Sequence, residues 1–67
     1  MRLKVNGVEE DITATTVSEL LAARGVDPVA KFLAVAINGS VVRRAEWSKK
    51  PLTADDDVEI VRPLSGG

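Results

Sequence analysis

The chain combines a length of only 67 residues with a complete lack of cysteine and histidine. A chain of this length lies near the lower limit for folding by hydrophobic burial alone. Without cysteine or histidine it has no disulfide and no thiolate or imidazole metal site to stabilise it. Nearly all of its apolar residues, 45% of the total, must therefore share one core, which leaves little room for an enclosed substrate cavity.

The same two absences exclude whole classes of catalyst. Cys-His pairs and Ser-His-Asp triads need side chains that this sequence does not contain. Only Asp, Glu, Lys and Arg are left for acid–base work, mostly in segments that are typical of solvated surfaces. We therefore expect a protein that is not an autonomous enzyme, with no catalytic side chain and no metal ligand of its own.

Charge and hydropathy indicate where the protein works. The net charge of -1 and the isoelectric point near 5.2 argue against nucleic acid, which needs a basic face. No segment approaches the roughly 18 consecutive apolar residues that span a bilayer. The first residues, Met1-Arg2-Leu3-Lys4, lack the apolar run of a signal peptide. We expect a cytoplasmic module, monomeric when free, that acts with other proteins and not on membranes.

The first twelve residues have the pattern of a β-hairpin. Residues 1–5 alternate between apolar and polar, which is typical of a half-buried strand. Asn6-Gly7 suits a type I′ turn, because both residues tolerate positive φ. Alternation then resumes over residues 8–12.

A short helix is predicted next. Thr16-Val17-Ser18-Glu19 matches a capping box, in which the Thr16 hydroxyl accepts the N–H of Glu19 and the Glu19 carboxylate returns to the N–H of Thr16. Gly25 suits the left-handed position that ends a helix, and Pro28 prevents its continuation. The helix presents one apolar stripe with an arginine at its edge: Val17, Leu20, Leu21 and Arg24.

The second half of the chain predicts three more strands. Residues 33–37 are almost uniformly apolar, as expected of a strand that is buried on both faces. Asn38-Gly39 is a second turn leading to Val41-Val42, and residues 58–61 form the last strand after the acidic turn 55–57. The helix connects the second and third strands, which allows a parallel pair, whereas the hairpins are antiparallel. Residues 1–61 are thus predicted to form one α+β domain, a β-grasp fold with a mixed sheet of four to five strands and one helix across one face.

Two charged clusters each have a functional and a structural interpretation. Asp55-Asp56-Asp57 could hold a hard cation, but three adjacent carboxylates lack the ligand number and the glycine of a calcium loop, which favours a solvated turn. Arg43-Arg44 and Lys49-Lys50 surround Trp47, the only tryptophan. Trp47 could close the edge of the core, or the cluster could recognise an acidic protein partner.

The most informative segment follows the last strand: Arg62-Pro63-Leu64-Ser65-Gly66-Gly67. We expect residues 62–67 to form a flexible tail. Two glycines would let a main-chain carboxylate pass through a narrow channel of another enzyme, where a side chain would obstruct it. A frayed terminus without function would have the same appearance in sequence.

The sequence resembles the ubiquitin-like sulfur carriers of the ThiS family over nearly its whole length. The shared features are Val5-Asn6-Gly7, the helix start at residues 16–21, the block Val35–Trp47 and the tail 65–67. The family usually has Gly-Asp before the last strand, where this chain has Asp55-Asp56-Asp57. The tail is also similar to that of the small subunit of molybdopterin synthase, and a β-grasp interaction module with an inert tail is a further alternative.

The resemblance implies a mechanism in which partners supply the catalytic groups. An E1-like adenylyltransferase would activate the Gly67 carboxylate with ATP and Mg²⁺, which bind to that enzyme and not to this chain. A cysteine desulfurase persulfide or another sulfur donor would convert the adenylate to a thiocarboxylate, and thiazole synthase would accept the sulfur for the thiazole of thiamin. Gly67 would carry the sulfur and Gly66 would permit access to the channel. The exposed face of the sheet would dock both partners. A tether between the last strand and the two glycines would consist of Arg62, Pro63, Leu64 and Ser65.

Overall fold

The computed structural model describes residues 1–62. Its elements follow the predicted order, with a 3-10 helix added after the fourth strand: β1 (Arg2–Val5), β2 (Val8–Asp11), α1 (Val17–Ala23), β3 (Ala34–Ile37), β4 (Ser40–Val42), the 3-10 helix Arg44–Glu46 and β5 (Asp57–Val61). The strands form one sheet in the order β2-β1-β5-β3-β4. The mixed five-stranded sheet and the single α-helix confirm the predicted β-grasp fold.

The parallel pair of this sheet differs from the one that the connectivity suggested. The strands on either side of the helix, β2 and β3, do not pair. Instead the first and last strands, β1 and β5, lie parallel, with Lys4 opposite Asp57 and Val5 opposite Val58. β3 runs antiparallel to β5 and carries β4 on its other side. The strand that is last in sequence therefore lies in the middle of the sheet.

Both Asn-Gly turns have the predicted geometry. Asn6 and Asn38 have the same φ of 53°, and Gly7 and Gly39 both have a φ of 83°. Positive φ at both central residues is the requirement of a type I′ turn, whose twist matches that of the flanking strands. The acidic turn before β5 uses the same region of φ, since Asp55 has a φ of 71°.

The ends of α1 are closed by local hydrogen bonds. Thr16 is the N-cap, and its hydroxyl accepts the N–H of Glu19 at 3.2 Å, as the capping box predicted. The carboxylate of Glu19, however, reaches one residue further than expected and accepts from the N–H and the hydroxyl of Thr15, at 2.8 and 3.0 Å. At the other end Gly25 has a φ of 70°. Its N–H donates to Ala22 and that of Val26 to Leu21, which is a Schellman motif.

A single core lies between the helix and one face of the sheet. It includes residues from every strand except β2 and β4, the apolar stripe of α1 and the side chain of Trp47, which is only 3% exposed. β3 is not buried on both faces as the apolar run suggested, because the helix covers one face only. Val35 and Ile37 point into the core, whereas Ala34 is exposed and Ala36 half-buried on the other face.

Among residues 1–62, no helix is both long enough and apolar enough to cross a membrane.

The contacts of Glu19 predict a pH-dependent stability. The two donors on Thr15 hold the pKa of the Glu19 carboxyl below its ordinary value. A carboxyl with a lowered folded-state pKa stabilises the fold above its unfolded-state pKa, and this contribution is lost as the pH falls through the folded-state pKa. The melting temperature of Glu19→Gln should therefore lie below that of the wild type at pH 6, and the difference should shrink below about pH 4.

Thermal melts followed by circular dichroism between pH 3 and pH 7 measure this difference. Glu59→Gln is a matched control, since Glu59 is an exposed strand residue. A difference for Glu19→Gln that stays constant over the whole pH range would contradict the assignment.

Candidate functional site

The predicted site begins where β5 ends. Arg62 is exposed and directly follows Val61, the last residue of β5. The other predicted site residues, Pro63, Leu64, Ser65, Gly66 and Gly67, lie outside the described residues. The structure therefore locates the root of the predicted tail, which is attached to the central strand of the sheet.

Hydrogen bonds hold β5 on both sides close to this root. Val61 lies opposite Ala34 and Ile60 opposite Val35 in the antiparallel pairing with β3. On the side of β1, the N–H of Ile60 donates to the side-chain oxygen Oδ1 of Asn6 at 2.8 Å. The chain is thus anchored to within two residues of Arg62.

The face of the sheet that the helix does not cover, here called the open face, has two unlike halves. Cross-strand register places opposite charges next to one another over β2, β1 and the start of β5. Lys4 faces Glu9 on one side and Asp57 on the other, and the Arg2 Nε lies 3.8 Å from the Glu9 Oε1. The charged half comprises Arg2, Lys4, Glu9, Asp11, Asp57 and Glu59.

The other half of the open face is formed by four apolar side chains, and it is bordered by Glu59, which lies opposite Ala36. Ala34 lies opposite Val61, and Ala36 lies opposite Val41. Val41 is 75% exposed and Val61 56%. We call these four residues the apolar half of the open face. Because Val61 immediately precedes Arg62, this apolar surface borders the root of the predicted tail.

The sequence did not identify these four residues as a surface. Ala34 and Ala36 belong to an apolar run that was predicted to be buried on both faces. Their exposure follows from the register with β5, in which alternate residues point to opposite faces. Phe32, which is 82% exposed, lies two residues before Ala34 and extends the exposed apolar segment along the chain.

A shallow groove lies beside the tail root on the helix side of the sheet. Val5, Val8, Val26 and Ile60 line it, together with Arg62. One wall is an ion pair between Arg24 at the end of the helix and Glu10 on β2. The basic residue predicted at the edge of the helix stripe therefore ties the helix to the first hairpin.

The structure divides the basic cluster around Trp47 into two groups. Trp47 is buried and its indole N–H donates to the carbonyl oxygen of Val42 at 2.9 Å. The Arg44 guanidinium lies 4.8 Å from the centre of the Trp47 ring and donates to the carbonyl oxygens of Pro28 and Ala30. These two residues are structural, which confirms the interpretation of Trp47 as a core residue.

The remaining cations of the cluster line a second open groove. Arg43, Lys49 and Lys50 surround it, with Val41 and Pro51 among its apolar residues. Among residues 1–62, Glu46 supplies the one carboxylate in its lining.

The acidic turn before β5 has a structural role. The Asp56 carboxylate accepts the N–H of Thr53 at 2.8 Å and the side-chain amide of Asn38 at 3.0 Å. The N–H of Asp57 donates to the Asn38 Oδ1 at 2.9 Å. Over residues 1–62, no three Asp or Glu side chains come together in a group that could hold a metal ion.

The likeness of this chain to known proteins extends over nearly its whole length. The sequence model of the ThiS family matches residues 3–67. A search of curated protein sequences finds no match. Among solved structures, the chain is similar to the crystal structure of the thiamine biosynthesis protein ThiS from Geobacter metallireducens, with a TM-score of 0.80 and 31% sequence identity over 100% of both chains. It is also similar to the solution structure of a thiamine biosynthesis protein from the same organism, with a TM-score of 0.79 and 31% identity over 100% of this chain and 88% of the other.

The two arginines of the basic cluster provide a matched test of its structural role. Arg44→Lys keeps the charge but loses the planar stacking on Trp47 and the fork of N–H donors. We expect it to lower the free energy of unfolding by about 1 kcal/mol. Arg43→Lys should change it by less than about 0.5 kcal/mol.

Urea unfolding followed by Trp47 fluorescence measures both values. Equal losses in the two variants would contradict the separate roles of Arg43 and Arg44.

Proposed function

We propose that this chain, which belongs to the ThiS family, is a sulfur carrier of thiamin biosynthesis whose sulfur is bound at the main-chain carboxylate of Gly67. One observation carries the proposal: the family match covers the whole segment after β5, the central strand of the sheet, and continues through residues 66 and 67. The protein is a co-substrate of other enzymes and does not itself catalyse the reaction.

Activation begins with an E1-like adenylyltransferase that binds ATP and Mg²⁺. An oxygen of the Gly67 carboxylate attacks the α-phosphorus of ATP, and pyrophosphate leaves. The product is an acyl-adenylate, in which the carbonyl carbon is open to nucleophiles because AMP is a good leaving group. Gly66 and Gly67 have no side chains that would obstruct a narrow channel leading to the ATP.

Sulfur then replaces the adenylate. With hydrosulfide as the source, sulfur attacks the Gly67 carbonyl carbon, the bond to AMP breaks, and a thiocarboxylate and AMP are formed. With a cysteine desulfurase persulfide as the source, the first product is an acyl disulfide, and a thiol must cleave it to release the thiocarboxylate. The thiocarboxylate passes its sulfur to thiazole synthase.

The residues of this chain have simple tasks in this scheme. The β-grasp domain provides a folded body, and β5 connects that body to the tether formed by Arg62, Pro63, Leu64 and Ser65. In this scheme the reacting group that the chain supplies is the main-chain carboxylate of Gly67, which requires none of the cysteine or histidine side chains that the sequence lacks.

The apolar half of the open face is proposed as the surface that docks the partners. Exposed apolar side chains that are clustered, unlike those scattered singly, are typical of protein–protein contact sites. Two features support its assignment here: the four side chains form one patch across β4, β3 and β5, and Val61 adjoins the tail root. A partner that covers this patch would be next to the start of the tether.

The sulfur-bearing position can be tested by truncation. After incubation with the E1-like enzyme, ATP and sulfide, the intact mass of the wild type should rise by the difference between one sulfur and one oxygen atom. A chain that lacks Gly67 should keep its mass, while its melting temperature stays unchanged. An unchanged mass of the wild type with an active enzyme would contradict the proposal, and so would modification of the truncated chain.

The docking surface can be tested with valines of matched exposure. Val41→Lys should raise the KM of the activating enzyme for the carrier about fivefold or more, because a lysine in an apolar contact removes at least about 1 kcal/mol of binding. Val29 is 77% exposed, close to the 75% of Val41, but lies in the loop before β3. Val29→Lys should leave the KM unchanged, and equal effects of the two variants would show that the patch has no special role.

A further inference from the structure

The ladder between β1 and β5 stops before β5 does. The N–H of Lys4 donates to the carbonyl oxygen of Asp56 at 2.9 Å, and the N–H of Asn6 donates to that of Val58 at 2.8 Å. In a regular parallel ladder the next bond would run from the N–H of Ile60 to the main-chain carbonyl of Asn6. The pairing of the strands nevertheless ends at Val5 and Val58.

The side chain of Asn6 supplies the missing bond. At Asn6 the main chain enters the type I′ turn, with a φ of 53°, and leaves the ladder. The side-chain Oδ1 of the same residue accepts the N–H of Ile60 at 2.8 Å. The bond is partly buried, and Ile60 itself is a core residue. Without this acceptor a main-chain donor would be left unpaired at the edge of the core, which is costly.

We propose that Asn6 is a positioning residue, whose side chain fixes the direction in which the chain leaves the sheet toward Gly67. The inference rests on the proposed function and assigns Asn6 a role in it. Beyond Val58, β5 has a strand partner only on the side of β3, and the Asn6 side chain holds its other side. Ile60 is two residues from Arg62, so that loss of this bond leaves the strand beside the root of the tether held on the side of β3 only.

Asn38 provides an internal control for this inference. It occupies the same place in the second Asn-Gly turn, with the same φ. Its Oδ1 accepts the N–H of Asp57 at 2.9 Å, which is the first residue of β5. Asn6 and Asn38 thus hold opposite ends of one strand with the same kind of bond, and only Asn6 is next to the tether.

Glycine substitutions remove the side-chain hydrogen bonds of the two asparagines while keeping the type I′ turns. Asn6→Gly retains the positive φ of the type I′ turn but removes the side-chain acceptor. Asn38→Gly does the same at the other end of β5 and also removes the amide donor to Asp56. Asn6→Asp retains an acceptor oxygen and tolerates positive φ, and serves as the rescue variant.

The experiment combines enzyme kinetics with amide hydrogen exchange for all three variants. Steady-state kinetics of thiocarboxylate formation give KM and kcat for the carrier with the E1-like enzyme, ATP and sulfide, and amide hydrogen exchange reports on Ile60. Freeing the main chain of one residue should raise the KM of Asn6→Gly about five- to thirtyfold with little change in kcat, and should speed exchange at Ile60. Asn38→Gly and Asn6→Asp should have the KM of the wild type.

Two results would overturn the inference while leaving the proposed function intact. One is a wild-type KM for Asn6→Gly, and the other is an equal rise in KM for Asn6→Gly and Asn38→Gly, which would indicate a general loss of stability. If the wild type acquires no sulfur with an active enzyme, the proposed function is wrong and the inference falls with it.

Discussion

The pairing of β5 on both sides is the constraint on which the rest of the structure depends. β5 is the last strand in sequence, yet it joins the first hairpin to the second through β1 and β3. Its inward side chains, Val58 and Ile60, belong to the core. The sheet is therefore complete only when the last strand has been added. As a consequence, the residues that follow β5 are attached to a strand held from both sides and not to a frayed edge.

This arrangement suits a carrier better than an enzyme. The buried apolar side chains of residues 1–62 form one core, and the helix covers only one face of the sheet. The other face has charged side chains in one half, with more carboxylates than cations, and apolar side chains in the half that borders the tail root, where we propose that partners dock. In the proposed function the reacting group is a main-chain carboxylate, which requires no catalytic side chain, so that the small domain would only have to fold, dock and present its C-terminal carboxylate.

Local patterns were sufficient to predict most of the elements. The Asn-Gly turns, the Thr16 N-cap and Gly25 each depend on neighbours a few positions away, and residue types specify such contacts. The pairing of β1 with β5 joins opposite ends of the chain, and no local pattern specifies it. For the same reason the apolar half of the open face was not predicted, since only the register with β5 distinguishes the alanines that point to the open face from the buried residues of β3. The predicted site residues 63–67 lie outside the described part of the chain.

The most direct test of the central claim is to locate the sulfur within the modified carrier. Fragmentation mass spectrometry of the intact protein, after reaction with the activating enzyme, ATP and sulfide, distinguishes fragments that contain Gly67 from those that end before it. The account predicts that every fragment with Gly67 carries the mass of one sulfur in place of one oxygen. Fragments that end at or before Gly66 should keep their unmodified mass. Sulfur in any fragment without Gly67 would contradict the account.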